Sequence, residues 1–143
     1  VMPALSLGVQ NELMSGLVCH LAQGAFDDHP VRLQAAAQLV RSAITFMHEG
    51  EAINSVFEIG EALGANRRSL ELSFKKYLGI PPKRYLKILR MHRCRDELVR
   101  SEPSGTQIGE VARRHGYWHM GQFGRDYRAL FGERPSDTLA RRR

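Results

Sequence analysis

Arginine is the side chain whose chemistry stands out in this sequence. The chain has 17 arginines and 4 lysines against 15 acidic residues, which gives a formal net charge of +6. A guanidinium group is a planar fork that can bond a phosphate or a guanine edge with two parallel hydrogen bonds, whereas lysine offers a point charge. Residues 51–143 carry a net charge of +8 and residues 1–50 a net charge of −2. This asymmetry predicts a polyanionic partner, most often nucleic acid, although charge alone fits a solvated basic surface equally well.

Other chemistries find little support in the spacing of reactive residues. His115 and His119 are four residues apart, but Gly116 ends the predicted helix between them, so the two imidazoles do not share a face. With no cysteine or aspartate beside them, we predict no zinc site. The sequence contains no phosphate-binding Walker loop, no Gly-x-Ser-x-Gly motif and no carboxylate pair suited to acid–base catalysis. We therefore predict a protein that is not an enzyme and that holds no cofactor.

Length and composition indicate one globular domain, or two very small ones. The chain has 143 residues, of which 43% are hydrophobic and 25% charged, so a disordered or fibrous class is excluded. No run approaches the ~20 apolar residues of a membrane span, so we expect no membrane partner. The two cysteines, Cys19 and Cys94, cannot form a disulfide framework, which favours the reducing cytoplasm.

Apolar residues recur at intervals of three and four along almost the whole chain, and no segment alternates long enough to indicate a strand. We therefore predict an all-α fold. The predicted helices cover approximately residues 11–23, 31–48, 55–64, 66–79, 82–100, 106–115 and 118–131, with a last turn from residue 136. The expected N-caps are Asn11, Ser55 (in a capping box with Glu58) and Thr106. The side chains expected to face inward include Leu70, Phe74, Leu78, Ile88, Met91, Cys94, Leu98, Phe123, Tyr127 and Leu130.

The second half of the chain contains an internal repeat. The segment Val56-x-x-Ile59-Gly60-x-x-x-Gly64 superposes on Ile108-x-x-Val111-Ala112-x-x-x-Gly116 at an offset of 52. At an offset of 53, Leu70, Phe74, Lys75, Gly79 and Pro82 superpose on Phe123, Tyr127, Arg128, Gly132 and Pro135. Gly60 and Ala112 occupy one position, where only a small side chain lets the second helix cross closely. Each unit is typical of a helix-turn-helix, whose second helix can lie in a major groove.

Over residues 35–140 the sequence resembles the AraC/XylS family of bacterial transcription regulators. The most specific block runs from Ile108 to Ser136 and includes Gly116-Tyr-Trp-His-Met-Gly-Gln-Phe-Gly-Arg-Asp-Tyr-Arg-Ala-Leu-Phe-Gly-Glu-Arg-Pro135. The first unit matches through Leu70-x-x-x-Phe74-Lys75-Lys76-x-x-Gly79-Ile-Pro-Pro82, and the connecting helix through Tyr85-Leu-x-x-x-Arg90-Met. The resemblance implies seven helices in which a rigid central helix holds two helix-turn-helix units against successive major grooves.

The resemblance also implies a domain plan. Residues 31–143 would form the DNA-binding domain, with a first helix-turn-helix at about 51–80, a connecting helix at about 82–100 and a second helix-turn-helix at about 106–132. Residues 1–30 would be a linker or interaction helix that follows a sensing domain, and Val1 preceding Met2 makes the chain the expected C-terminal piece of a longer regulator. The implied partners are double-stranded DNA, RNA polymerase during activation, a small-molecule effector, and a second copy bound through the absent sensing domain.

Candidate DNA contacts follow from the motif positions and the outward helix faces. The expected base-reading residues are Arg68, Glu71, Leu72, Met120, Gln122 and Arg125. The expected phosphate contacts are Arg67, Lys75, Lys76, Arg84, His119 and Arg128. Arginine can bond guanine, glutamine adenine, and glutamate the amino group of cytosine, while leucine can touch only a thymine methyl. Leu72, Met120 and Gly121 depart from the polar residues common in the family, and Trp118 is expected to pack at the turn. Arg68 and Glu71 could instead form an i,i+3 surface pair.

Two alternative functions stay open. Arg90, Arg93, Arg95 and Arg100 on the connecting helix could clamp the phosphates of a small anionic effector, such as a nucleotide second messenger. The chain could also be a helical interaction module whose basic face is incidental.

Overall fold

The computed structural model describes residues 31–50 and 55–141, and within them the chain forms seven helices and no strand. The helices are α1 (Val31–Glu49), α2 (Val56–Leu63), α3 (Arg67–Leu78), α4 (Pro82–Arg100), α5 (Ile108–Arg114), α6 (Met120–Phe131) and α7 (Pro135–Ala140). The predicted all-α fold is confirmed. The helix predicted at 11–23, with its cap Asn11, lies outside the described residues. No helix in the described ranges has the length and hydropathy needed to cross a bilayer.

The first apolar core is enclosed by α1, α2, α3 and the N-terminal half of α4. Leu70 and Phe74 of α3 are fully buried, as predicted, against Met47 of α1 and Ile59 of α2. Tyr85 of α4 meets Phe74 edge to face, with ring centroids 6.0 Å apart. These contacts fix the outward face of α3, because its inward face is anchored by two large side chains one helical turn apart.

The second apolar core lies between the C-terminal half of α4 and helices α5, α6 and α7. Phe123 and Tyr127 of α6 are buried here, as predicted, together with Val111 of α5 and Leu139 of α7. Cys94 of α4 is also fully buried, and burial raises the pKa of its thiol to about 12. The thiol therefore remains protonated and serves as a small core side chain, which confirms its predicted position.

Helix α4 belongs to both cores. Its N-terminal half contributes Tyr85 and Leu86 to the first core, and its C-terminal half contributes Met91, Cys94 and Leu98 to the second. Because one continuous helix of 19 residues carries both sets of contacts, the two units are held at a fixed separation.

Both turns of the repeat adopt the same backbone geometry. The glycines with positive φ are Gly64, Gly79, Gly116 and Gly132, with φ between 61° and 82°. In each turn the residue after the glycine donates its N–H to the carbonyl of Gly60 or Ala112, at 2.9 Å in both cases. The repeat inferred from spacing is therefore a repeat of structure, and a glycine at each helix end is required by the left-handed conformation.

The helix starts agree with prediction in part. Asn66 caps α3 by accepting a hydrogen bond from the backbone three residues later, at 2.8 Å. Ser55 caps α2, because its hydroxyl accepts a hydrogen bond from the backbone N–H of Glu58 at 3.3 Å. In the predicted capping box the Glu58 carboxylate would accept from the backbone N–H of Ser55, but here it accepts from the Ser55 hydroxyl. Thr106 was the wrong N-cap: Gln107 holds that position, with no side-chain bond to the helix.

Several boundary and core predictions were also wrong. The recognition helix predicted from Trp118 begins at Met120, and the preceding short helix ends at Arg114 rather than His115. Leu130, predicted to be core, is 41% exposed. Phe131 packs in its place, with its ring 4.7 Å from that of Tyr127, because the next position along α6 faces α4 more directly. The predicted inward side chains Leu78 and Ile88 are only partly buried.

Gly60 provides a test of the turn geometry. A Cβ added to Gly60 would lie 2.6 Å from the carbonyl oxygen of Ala65, a backbone atom of the turn, so the turn must shift. We expect Gly60→Ala to lower the free energy of unfolding by about 1–3 kcal/mol in urea titrations. The matched control is Gly124→Ala, where an added Cβ meets nothing within 4 Å inside α6. That variant should gain up to about 1 kcal/mol, and equal losses in both variants would contradict the account.

Candidate nucleic-acid interface

The outward face of α3 carries the first set of predicted contacts. Arg67 and Glu71 form an exposed ion pair with Nε and Oε1 2.7 Å apart, one helical turn from each other. The sequence left open an ion pair between Arg68 and Glu71, but the partner of Glu71 is Arg67. Arg68 is exposed, and Leu72 beside it is 58% exposed.

On α6 the predicted base readers are joined by a chain of polar contacts. Arg125 donates from Nη2 to Gln122 Oε1 at 3.0 Å, and Gln122 donates from Nε2 to Asp126 Oδ1 at 2.9 Å. Lys87 of α4 binds the other carboxylate oxygen of Asp126 at 2.7 Å. The hydrogen bond from Lys87 is the main reason that the pKa of Asp126 lies below its usual value. The side chains that would read bases on α6 are thus tied, through Asp126, to the connecting helix.

Met120 begins α6 and is 39% exposed. Gly121 follows it, and an added Cβ there would meet nothing within 4 Å. The first turn of α6 therefore offers an open backbone surface beside a flexible apolar side chain. These features leave room for close approach of a large partner.

The predicted phosphate contacts are all at the surface. The residues are Arg67, Lys75, Lys76, Arg84, His119 and Arg128, each of them exposed. Lys75 and Lys76 lie in the last turn of α3, and Arg128 lies in the last turn of α6, at corresponding positions of the repeat. His119 occupies the N-cap position of α6 without a side-chain capping bond.

A groove of about 1110 Å³ separates the two helix-turn-helix units. The first unit lines it with Arg67 and Glu71 from the start of α3, and the second with His119 and Gln122 at the start of α6. Helix α4 forms the floor with Lys83, Leu86, Lys87 and Arg90. The first turns of α3 and α6 therefore border the same groove.

Two aromatic side chains at this groove were missed or misassigned from the sequence. Trp118, expected to pack at the turn, is 74% exposed, so that expectation was wrong. Phe57 of α2 is 72% exposed and also lines the groove. The exposure of Phe57 could have been predicted from the helical period, because Val56 and Ile59 mark the inward stripe of α2 and Phe57 lies outside that stripe.

Two of the four arginines predicted for an anionic effector hold the fold together. Arg93 donates to the carbonyl oxygens of Met47, His48 and Gly50 at 2.8–2.9 Å, which ties the C-terminal end of α1 to α4. Carbonyls at a helix C-terminus are ready acceptors for a cation.

Arg95 serves the second unit. Its Nη2 lies 3.4 Å from Glu133 Oε1, and its guanidinium stacks 4.7 Å from the Phe131 ring centre. Arg90 is half-buried in the floor of the groove, and Arg100 bonds the carbonyl of Asp96 in its own helix. The four guanidinium groups therefore serve different parts of the fold.

The histidines do not form a metal site among the residues that the structure describes. His115 Nε2 lies 2.7 Å from Glu97 Oε2, which links α4 to the turn after α5. His92 packs edge-on against Phe131, with ring centroids 5.1 Å apart.

Comparison with known proteins gives a consistent result. The protein family described as "Helix-turn-helix domain" matches residues 59–141. The chain is 34% identical to the "Probable thc operon regulatory protein" of Rhodococcus erythropolis, over 96% of this chain and 42% of that protein. It is 34% identical to the "XylDLEGF operon transcriptional activator 1" of Pseudomonas putida, over 70% of this chain and 30% of that protein. The chain thus spans less than half the length of these two relatives.

Solved structures agree. A transcriptional regulator from Chromobacterium violaceum, described as an AraC-type DNA-binding domain-containing protein, superposes with a TM-score of 0.65 at 28% identity, covering 75% of this chain and 94% of that one. A probable AraC family transcriptional regulator from Rhodopseudomonas palustris gives a TM-score of 0.65 at 27% identity, covering 74% and 98%.

Asp126 allows the polar chain on α6 to be tested. In Asp126→Ala, Gln122 loses its anchor and Lys87 is freed, so preference at the base that Gln122 is predicted to contact should relax by about 1–3 kcal/mol. The slope of log K against log salt on random duplex should steepen by roughly 0.9, the value for one added phosphate contact. Glu49→Ala removes an exposed acid at the end of α1 and should change neither quantity. Equal effects in the two variants, measured by fluorescence anisotropy, would refute the coupling.

Proposed function

Because the chain belongs to the AraC-type family of helix-turn-helix transcription regulators, we propose that it binds a two-part operator with α3 and α6 in successive major grooves. The family consists of DNA-binding transcription regulators and not of enzymes.

The observation that carries it is the shared groove. Arg67 begins α3 and His119 precedes α6, and both line the groove between the units. Recognition helices usually contact base edges with their N-terminal residues. Under this proposal, the two N-terminal ends meet one duplex without a rotation of one unit against the other.

The length of α4 supports the same arrangement. Nineteen residues at about 1.5 Å each give a helix of about 28 Å, close to the ~34 Å of one turn of DNA. Since α4 is a member of both cores, the spacing of the reading helices is set by a rigid element. A flexible linker would allow variable spacing between half-sites, and this fold does not contain one between the units.

The contacts divide into two kinds under this proposal. Arg68, Glu71 and Leu72 on α3, with Met120, Gln122 and Arg125 on α6, face base edges. Arg67, Lys75, Lys76, Arg84, His119 and Arg128 bond phosphates and set the register. The ion pair between Arg67 and Glu71 is exposed and therefore weak, so DNA can replace it at small cost.

Regulation is proposed to be activation, because the Pseudomonas putida relatives carry the name of transcriptional activators. Under this proposal the protein acts in the bacterial cytoplasm and contacts RNA polymerase at the promoter.

The spacing of the half-sites tests the rigid arrangement. A duplex recovered by in vitro selection with the chain would receive insertions between its two half-sites. An insertion of about 5 bp rotates one half-site to the opposite face, and affinity should fall to that of a single half-site. An insertion of about 10 bp restores the face but adds ~34 Å, which α4 cannot span, so affinity should stay low. Unchanged affinity after either insertion would overturn the two-groove proposal.

The division of the candidate residues into base contacts and phosphate contacts can be tested separately. Arg125→Ala should cost about 1–3 kcal/mol on the selected duplex and relax preference at one base position. Lys75→Ala should weaken binding to all sequences alike and lower the salt slope by about 1. Titrations against the selected duplex and its single-base variants, at two salt concentrations, separate the two behaviours. Sequence-blind losses for both variants would contradict the assignment.

A further inference from the structure

Two exposed aromatic rings face the groove between the units, one from each helix-turn-helix. Phe57 of α2 is 72% exposed and Trp118 before α6 is 74% exposed. No other large hydrophobic side chain among the described residues is as open to water. Each ring offers a large apolar surface, and covering that surface with a partner lowers the free energy of the complex. Their position on opposite units, at one groove, indicates a single partner that touches both.

The geometry of DNA identifies what lies opposite this groove. When two helices enter successive major grooves on one face of a duplex, the minor groove and its two flanking backbones lie between them. The groove of about 1110 Å³ occupies that central place between α3 and α6. In the proposed docking, Phe57 and Trp118 would stand opposite the sugar edges of base pairs that neither recognition helix reaches.

The charge of the floor suits phosphate backbones. Three of the four α4 residues that line the groove are cationic: Lys83, Lys87 and Arg90. Two of the acids that line it are already paired, Glu71 with Arg67 and Asp126 with Lys87. Glu61 of α2 also lines the groove. With Arg67 included, the four cations of the lining exceed its three acids by one, so the groove keeps a small net positive charge, with an aromatic ring on either side.

We propose that Phe57 and Trp118 pack against the deoxyribose edges of the minor groove between the half-sites, and so make binding depend on the shape of base pairs that no side chain reads directly. Proteins that contact a minor groove often place apolar side chains against or between its base steps, and groove width and flexibility vary with sequence. The inference rests on the proposed function, since the central minor groove faces the protein only when both recognition helices are docked.

Trp118 reports on its own contact, because it is the only tryptophan of the chain. On addition of the selected duplex, quenching of its fluorescence by acrylamide should fall severalfold, as the ring becomes covered. The variant Phe57→Ala keeps this reporter and should show weaker protection. A duplex that carries one half-site alone should leave Trp118 open to acrylamide.

The second measurement varies only the base pairs between the half-sites. Selected duplexes with a flexible TA-containing centre and with a stiff A-tract centre should differ in affinity by about fivefold or more for the wild-type chain. The double variant Phe57→Ala, Trp118→Ala should lose most of that difference while keeping base preference within each half-site. Val99→Ala is the matched control, since Val99 is 41% exposed near the end of α4 and does not line the groove.

The outcomes separate this inference from the proposed function. If the chain binds a two-part site but Trp118 stays fully open to acrylamide, or the double variant keeps the wild-type dependence on the central sequence, the aromatic contact is refuted and the two-groove docking stands. If spacing insertions show no requirement for two half-sites, both fall together. Circular dichroism of the variants, whose substituted side chains are exposed, checks that the fold is intact.

Discussion

Helix α4 is the element on which the architecture depends, because it is packed into two separate cores at once. Tyr85 and Leu86 anchor its first half, and Met91, Cys94 and Leu98 anchor its second. Dense apolar packing on both halves resists bending, and no proline or glycine interrupts the helix after its first residue. The distance and angle between the recognition helices are therefore properties of one rigid rod, fixed before any partner arrives.

Some of the candidate DNA-contacting side chains are already paired within the protein. Arg67 pairs with Glu71, and Asp126 holds both Gln122 and Lys87. The Arg67–Glu71 pair is exposed and contributes about 0–1 kcal/mol, so it is easily exchanged for phosphates or base edges. The acids also lower the attraction to arbitrary polyanions. These pairs therefore orient candidate base-reading side chains and offset part of the positive charge beside them.

The sequence predicted those features that arise from local rules. Helix ends at Gly64, Gly79 and Gly132 followed from left-handed caps, and the buried pairs on α3 and α6 followed from the helical period. Errors arose where tertiary contacts decide. Leu130 and Phe131 both lie near the edge of the apolar stripe, and only the position of α4 selects the phenylalanine. The partners of Arg93 lie more than forty residues earlier in the chain, and no local pattern indicates such a contact. The roles of the candidate DNA contacts are proposals that the fold accommodates.

The most direct test of a fixed two-groove geometry is hydroxyl-radical footprinting of the 143-residue chain on a selected duplex. The rigid α4 predicts two protected windows on one face of the DNA, with centres about 10–10.5 bp apart. A single protected window, or two windows on opposite faces of the duplex, would contradict it.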